Sequence, residues 1–330
     1  QTVQKQTFPT TDARVISPAV IAENDNTDGV RIAIIALAVG ASLGLVAALF
    51  FERMDRSVRT GWQLRAATGV QTIGLLPAPI SAAHSRHNRL GQGKQPVNLG
   101  SNQFRVVGTA YGAVLSDALS PYTEAMRRIK VAVDAVAPNT KIPILGFISV
   151  DNIACRSTVA ANYAELLAMG GQRTLLVDLD MRGANLSAAL TPKAPAGLAN
   201  FMAPGKTDDI QSIFWTDQST GLDFLPARGI HGWAAANGMS PDPARMMRTM
   251  AKLAVHYDYI VLDCAPLSTS ADAAELAHMV SGFILVSEWG KTSSDAVAKY
   301  TSESGIPFQK LLGSVIGDVN VAKYARYESV

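Results

Sequence analysis

One stretch of the chain is apolar throughout, whereas the rest mixes apolar and polar positions. Residues 32–51, IAIIALAVGASLGLVAALFF, contain no charged side chain. A helix needs about 20 such residues to cross the core of a bilayer. A buried helix of a globular domain would keep a polar face, and the apolar region of a signal peptide is shorter. We therefore predict a transmembrane helix over residues 31–51.

Beyond residue 121, short apolar runs alternate with amphipathic segments of helical spacing. Such alternation is typical of α/β folds in which helices connect parallel strands. The sequence predicts a doubly wound, mostly parallel sheet. Its strands are expected in IPILGFI, RTLLVDLD, LDFLPA, YDYIVLDC, GFILVSE and LLGSVIGDV, and its helices at 157–169, 242–255, 271–280 and 292–304.

The segments around the apolar stretch differ in composition. Residues 1–30 are polar, and we assign them to an extracytoplasmic remnant. Residues 52–120 are assigned to a juxtamembrane segment and a flexible linker, and residues 121–330 to the α/β domain. The arginines that follow the span are Arg53, Arg56, Arg59 and Arg65. This excess of positive charge predicts that the C-terminal domain is cytoplasmic.

The overall charge is close to neutral, at +2 from 29 basic and 27 acidic side chains in 330 residues. Because the basic residues are scattered, we expect no nucleic-acid partner. The two cysteines, Cys155 and Cys264, lack CxxC spacing, which disfavours a disulfide framework and a zinc site.

Three predicted strands are followed by segments with polar side chains. Asp178 and Asp180 lie at the end of RTLLVDLD, Asp263 ends YDYIVLD, and SVDNIACRST (residues 149–158) follows IPILGFI. The carboxyl ends of parallel strands share one edge of a sheet, where α/β proteins bind ligands. Carboxylates beside a Ser or Thr hydroxyl suit a Mg²⁺–phosphate site. Capping of loops or helices by these aspartates is the alternative.

Several segments resemble the bacterial tyrosine kinases (BY-kinases) and the related polysaccharide co-polymerases. STVAANYAELLAMGGQRTLLVDLDMRGANL is similar to the loop, helix and second acidic motif of BY-kinases, which are P-loop NTPases, and YDYIVLDCAPLSTSADAAELA to their third motif. DARVISPAVIAEN, the predicted span and FERMDRSVRTGWQLRAATGVQTIGLLP resemble the end of the periplasmic domain, the second membrane helix and the juxtamembrane segment of co-polymerases. The resemblance implies a P-loop NTPase fold in a bacterial inner-membrane protein. It also implies that a first membrane helix and most of a periplasmic domain lie upstream.

The resemblance assigns roles to individual residues. Asp178 and Asp180 fall at catalytic positions of the second acidic motif. Arg156, Ser157 and Thr158 fall at nucleotide-binding positions of the loop. Ser157, Asp178 and Asp263 fall at the positions of metal ligands.

The loop nevertheless departs from the family pattern. BY-kinases have Pro-Gly-Glu-Gly-Lys-Ser/Thr where this chain has Asn-Ile-Ala-Cys-Arg-Ser, residues 152–157. Glycines let backbone N–H groups converge on phosphate oxygens, and Ile153 is poorly suited to a left-handed backbone position. Arg156 keeps the charge of the family's lysine but not its shape. We therefore predict a degenerate Walker A loop, vestigial catalytic aspartates, and Arg156 as their ion-pair partner.

Further sites rest on the resemblance alone. EAMRRIK is similar to the family's Glu-x-x-Arg-x-x-Arg oligomerisation motif, with Glu124, Arg127 and Lys130 in the three places. Gly317 replaces an Asn that helps contact the base. The C-terminal tail offers Tyr324 and Tyr327 as possible phosphoacceptors.

These features predict an inner-membrane component of exopolysaccharide biosynthesis and export, with an inactive kinase-like domain that acts through oligomeric assembly. Its expected partners are further copies of itself and the polysaccharide polymerase and export machinery, and no cofactor is expected. The alternative is an active tyrosine autokinase that uses Mg·ATP and regulates chain length and export. A membrane-linked ATPase switch of the MinD/ParA type is a more distant candidate, which the predicted span and the periplasmic-type segment disfavour.

Overall fold

The structure, a computed structural model, describes residues 26–79, 102–136, 144–202, 210–227, 243–325 and 327. The chain forms two compact units, residues 1–55 and residues 56–330. Most of the predicted extracytoplasmic remnant and residues 80–101 of the predicted linker lie outside the described residues.

The first unit contains a single described helix, α1 (Asn26–Met54). Its segment Gly29–Phe50 is long and apolar enough to cross a membrane. Large apolar side chains project from it without protein contacts that bury them, and Leu37 is 74% exposed. By length and composition, α1 is a candidate membrane span that includes most of the predicted residues 31–51.

The described part of the second unit is a sheet of nine strands flanked by helices. The strands are β1 (Thr72–Pro77), β2 (Gln103–Phe104), β3 (Ile144–Ser149), β4 (Thr174–Asp178), β5 (Trp215–Asp217), β6 (Asp223–Leu225), β7 (Tyr259–Asp263), β8 (Gly282–Glu288) and β9 (Leu311–Val319). The helices are α2 (Gly61–Thr68), α3 (Ala113–Ser116), α4 (Pro121–Val136), α5 (Ala154–Met169), α6 (Asn185–Leu190), α7 (Leu198–Met202), α8 (Pro243–Ala254), α9 (Asp272–Glu275), α10 (Ser294–Glu303) and α11 (Val321–Tyr324).

The strand order is β1-β9-β8-β3-β7-β4-β6-β5-β2. Every neighbouring pair is parallel except β5 and β6, which are antiparallel. Two clusters of buried apolar residues form the core. The predicted mostly parallel, doubly wound α/β sheet is therefore confirmed.

The sheet extends further towards the N-terminus than the sequence pattern indicated. β1 pairs with β9, and β2 pairs with β5, although both strands lie within residues 52–120, which we assigned to the juxtamembrane segment and linker. The second compact unit accordingly begins at Arg56. One predicted helix is shorter than expected: the helix expected at 271–280 is only the four-residue α9.

Helix α5 follows the loop after β3 and is almost entirely buried. Thirteen of its 16 residues are buried, including the polar side chains of Asn162 and Glu165. Asn162 accepts a hydrogen bond from the backbone N–H of Val114 at 3.1 Å and donates one to the carbonyl of Ala110 at 2.7 Å. These bonds attach the segment before α3 to the centre of α5.

Glu165 and Asp217 form a buried pair bridged by one hydroxyl group. Oγ1 of Thr220 lies 2.8 Å from Oε2 of Glu165 and 3.1 Å from Oδ2 of Asp217. The hydroxyl has a single proton, so it can donate a full hydrogen bond to only one of the two carboxyl groups at a time. Oδ2 of Asp217 also accepts the backbone N–H groups of Ser219 and Thr220. Burial, with a smaller contribution from Asp217, raises the pKa of Glu165 to about 8.

We expect Glu165 to make the protein less stable as the pH rises. Its pKa in the folded state is about 8, against an ordinary value of 4.5. The unfolded chain therefore releases this proton first, and stability falls between about pH 4.5 and 8 by roughly 3–5 kcal/mol. The difference between wild type and Glu165→Gln, measured by urea unfolding at several pH values, should show this slope. Glu303→Gln, which makes the same charge change at an exposed position, is the control. If Glu165→Gln retained the full wild-type dependence of stability on pH, the prediction would be contradicted.

Candidate functional site at the carboxyl edge of the sheet

The loop between β3 and α5 is an extended connection. Ile153 has φ −111° and ψ 133°, and its side chain is buried in the core. The non-glycine residues with positive φ in the described chain are Asn102, Ala184 and Asp318, and none of them lies in this loop. Ile153 therefore does not adopt the left-handed conformation that the resemblance implied there. The loop avoids strain because it points this side chain inwards.

Arg156 lies in the first turn of α5 and is completely buried. Its Nε donates to Oδ1 of Asp263 at 2.7 Å, and its NH2 group donates to Oδ2 of Asp180 at 3.0 Å. Its NH1 group donates to Oγ of Ser149, the last residue of β3, at 3.3 Å. The predicted ion pair is present with Asp180 and Asp263 but not with Asp178. The guanidinium group connects the ends of three strands.

The two aspartates raise the pKa of Arg156. Burial alone would lower that pKa, because it disfavours the charged form. The charges and hydrogen bonds of Asp263 and Asp180 outweigh burial and keep the group protonated. Asp180 is held further by the backbone N–H of Gly183, which donates to its Oδ1 at 2.9 Å.

Asp178 is buried at the end of β4 and does not contact the guanidinium group. Its Oδ2 accepts the hydroxyl of Ser187 at 2.6 Å and the backbone N–H of the same residue at 2.9 Å. Its Oδ1 accepts the backbone N–H of Asp180 at 3.1 Å. Burial, followed by the charge of Asp263, raises the pKa of Asp178 to about 7. Asp178 therefore acts as a structural acceptor that anchors the start of α6.

Asp263 lies opposite Asp178 in the register of β4 and β7. Burial raises its pKa, although the charge of Arg156 and the hydroxyl of Ser157 act in the opposite direction. Its Oδ2 is buried and has no hydrogen-bond partner among the described residues. Asp263 thus uses one oxygen for the ion pair and leaves the other unpaired.

The structure brings most of the predicted site residues together. Arg156, Ser157, Asp178, Asp180 and Asp263 share the carboxyl edge of the sheet. Thr158 does not join them, since its hydroxyl donates to the carbonyl of Ala154 within α5 at 3.1 Å. Its assignment to nucleotide binding stays a prediction.

The sequence analysis missed three participants in the site. Ser149 and Ser187 supply hydroxyl groups to Arg156 and Asp178. Ser149 begins the segment SVDNIACRST but received no role in the sequence analysis, and Ser187 directly follows the quoted motif that ends in DMRGANL. Tyr111, in the segment before α3, is close enough for Asp263 and Asp178 to contribute to its raised pKa after the larger effect of burial. These contacts depend on tertiary packing, so local sequence carries no signal for them.

The residues of the loop do not fit a triphosphate cradle. Side chains replace glycine at Ile153 and Cys155, and both are packed into the core. The guanidinium of Arg156 already binds oxygens of Asp180 and Asp263. Within the described ranges, no group of three or more His, Cys, Asp and Glu side chains is arranged to hold a metal ion.

The other predicted sites lie on the surface. On α4, Glu124 forms ion pairs at 3.6 Å with Arg127 and Arg128, and Lys130 pairs with Asp134 at 2.6 Å. These contacts stay within one helix and leave the proposed oligomerisation role untested.

The two C-terminal tyrosines have different surroundings. Tyr324 ends α11 and packs against the core. The hydroxyl of Tyr327 accepts a hydrogen bond from Arg59, whose guanidinium lies 5.0 Å from the centre of the tyrosine ring, and the ring also meets Trp289 edge-on. Their assignment as phosphoacceptors stays a prediction.

Comparison with known proteins agrees with the resemblance. Residues 152–288 match the model of a family described as an AAA domain. The succinoglycan biosynthesis transport protein ExoP of Rhizobium meliloti is 28% identical over 347 aligned positions, covering 99% of this chain and 42% of that protein. The tyrosine-protein kinase YwqD of Bacillus subtilis is 28% identical over 52% of this chain and 70% of its own length.

The chain is similar to BY-kinases and to polysaccharide-transport proteins. The match to ExoP runs through the candidate span as well as the α/β domain. The kinase domain of the Escherichia coli tyrosine kinase ETK has the same fold, with a TM-score of 0.64 and 18% identity over 79% of this chain and 95% of that domain. The present chain spans less than half the length of ExoP.

We expect Arg156→Ala to destabilise this protein strongly. Removing the guanidinium leaves Asp180 and Asp263 buried without their cation, which should cost about 3–5 kcal/mol. Chemical denaturation of the detergent-solubilised chain measures the loss. Arg173→Ala is the matched control, because it breaks the exposed pair with Asp258 and should cost far less. Equal stability of the two variants would show that the buried ion pair does not support the fold.

Proposed function

We propose that this chain is an inner-membrane component of bacterial exopolysaccharide biosynthesis and export, a polysaccharide co-polymerase whose kinase-like domain acts through assembly and not through phosphoryl transfer. The observation that carries the proposal is the buried Arg156, which binds two of the acidic residues expected to serve catalysis and metal binding. The similarity to a succinoglycan biosynthesis transport protein supports the polysaccharide role.

The proposed topology places α1 across the inner membrane and residues 56–330 in the cytoplasm. It is supported by the uncharged segment of α1 and by the arginines that follow it in the sequence. The proposed partners are further copies of this chain and the polysaccharide polymerase and export machinery. No cofactor is required for the proposed role.

A loop without glycine explains why the domain would not use Mg·ATP. A P-loop binds phosphate oxygens through several backbone N–H groups, and each hydrogen bond to a charged group is worth about 1.5–3 kcal/mol. The extended backbone and buried side chain of Ile153 favour a different path for this loop. The loop is in this sense a degenerate Walker A, and Asp178 and Asp180 are vestigial catalytic residues.

One observation favours the second candidate, an active tyrosine autokinase. Oδ2 of Asp263 is buried and, among the described residues, has no hydrogen-bond partner. A bound cation would satisfy this oxygen, as a Mg²⁺ ion coordinated by Ser157, Asp178 and Asp263 would in a kinase. The position of Arg156 disfavours this arrangement unless the side chain moves away.

We therefore predict that Mg·ATP binds weakly or not at all. Loss of two or three hydrogen bonds to the phosphates should weaken binding by at least a factor of about 100, since each ~1.4 kcal/mol is tenfold. Isothermal titration of the full chain in nanodiscs with Mg·ATP measures this directly, and phosphotyrosine detection after incubation measures activity. Micromolar binding that Asp263→Asn abolishes would establish the active kinase instead.

The proposed assembly gives a second prediction, on helix α4. Arg127→Glu reverses the charge at the centre of the EAMRRIK face, so the oligomer in detergent should dissociate to smaller species in light scattering. The variant should remain folded, because exposed ion pairs contribute little to stability. Arg128→Glu is the control, since it makes the same change at the next residue, an exposed variable position of the motif. Dispersal by both variants, or by neither, would remove the support for a specific interface.

A further inference from the structure

Helix α2 is the first helix after the candidate span, and it presents an unusual outer face. Its first turn is fixed by a capping box in which Thr60 and Gln63 bond each other's backbone N–H groups. Leu64 and Thr68 are its buried residues. Trp62 lies on the opposite side and is 76% exposed. The cap fixes the backbone from which this indole projects into solvent.

The exposed face continues along the helix with helical spacing. Trp62, Arg65, Ala66 and Gly69 are exposed at positions i, i+3, i+4 and i+7. At the end of α2 the ring of Phe308 lies beside Gly69, where a Cβ would be only 3.4 Å from it, and Phe308 is itself 58% exposed. We call Trp62, Arg65, Ala66, Gly69 and Phe308 the α2 surface.

Arg65, the arginine of the α2 surface, differs from the two preceding arginines in its side-chain partners. Arg56 forms an ion pair with Asp295, and Arg59 bonds Tyr327. Arg65 has no ion-pair partner within the described part of the chain, and its side chain is exposed. The α2 surface therefore combines two solvent-exposed aromatic rings with an uncompensated positive charge.

This combination matches the interface of a membrane with anionic lipids. Indole rings favour the headgroup level, where their apolar body and polar N–H are both accommodated. An arginine near an anionic leaflet gains about 1 kcal/mol from its surface potential. The candidate span ends at Phe50, and Trp62 follows twelve positions later along the same chain.

We propose that the α2 surface docks on the headgroup region of an anionic membrane and holds the kinase-like domain against it. The inference rests on the proposed membrane placement of α1. A span alone would tether the domain through a single connection and leave its orientation free. Docking of α2 adds a second point of attachment, which fixes the face that the domain turns to the lipid.

The test uses the full chain reconstituted into vesicles of phosphatidylcholine with phosphatidylglycerol, some carrying bromine near the headgroup end of the acyl chain. Bromine quenches tryptophan fluorescence only at short range, so a docked Trp62 should be quenched. The chain has four tryptophans, and Trp62→Phe should remove more than half of the quenching. Trp289→Phe, which replaces a partly buried indole, should leave the quenching unchanged. Arg65→Glu should reduce it, and so should high salt.

The outcomes separate this inference from the membrane placement on which it rests. Failure of the chain to float with the vesicles in a density gradient would contradict the span. Flotation with equal quenching of wild type and Trp62→Phe would overturn docking alone. A Trp62 emission that is shifted to the blue in the detergent oligomer, but insensitive to bromine, would identify the α2 surface as a contact between copies of the chain and would also overturn the proposal.

Discussion

The buried guanidinium of Arg156 is the interaction on which the carboxyl edge of the sheet depends. It joins Ser149 at the end of β3, Asp180 after β4 and Asp263 at the end of β7, each within hydrogen-bond distance. Without a cation, carboxylates at adjacent strand ends would repel one another in a medium of low dielectric. A lysine could not replace this arginine equivalently, because an ammonium group is a compact charge, whereas the guanidinium fork directs separate donors to separate acceptors. The planar group therefore determines how these three strand ends are arranged.

Charge balance around Arg156 explains the behaviour of the third aspartate. The guanidinium of Arg156 is shared by the carboxyl groups of Asp180 and Asp263 and does not contact Asp178. Ionisation of Asp178 would add a further buried negative charge next to Asp263, and its pKa is accordingly raised to about 7. Ser187 stabilises the ionised form through two hydrogen bonds but does not offset burial. Asp178 therefore titrates near neutral pH, beside a guanidinium group that it does not contact.

The central strands and the ion pair could be predicted from sequence because each has a local cause. β4 and β7 are apolar runs that end in aspartate, and an arginine in the place of a phosphate-binding lysine has few acidic partners available.

β1 and β2 were not predicted, because they are edge strands stabilised by pairing with β9 and β5, far away in sequence. The path of the loop at Ile153 was also missed. Its conformation depends on the packing of the Ile153 side chain into a buried apolar cluster, which no local pattern describes. The bridge from Glu165 through Thr220 to Asp217 likewise exists only once α5 packs against the β5–β6 hairpin.

The replacement at Gly317 follows from the same change in the loop. In BY-kinases an Asn that helps contact the base usually occupies the corresponding place, and its loss on its own suggests a missing nucleotide contact. In the structure, a Cβ at position 317 would lie 3.2 Å from the sulfur of Cys155 and 3.4 Å from its Cβ. Cys155 occupies one of the places where the P-loop pattern has glycine, and its side chain is buried in the core. The side chain of Cys155 adds volume to the loop, and the glycine at position 317 removes volume from β9. Because a well-packed interior accommodates even one methylene group only with strain, the two changes compensate each other. The two departures from the family pattern form a single packing unit, so restoring the asparagine without also restoring the glycine would force it against Cys155.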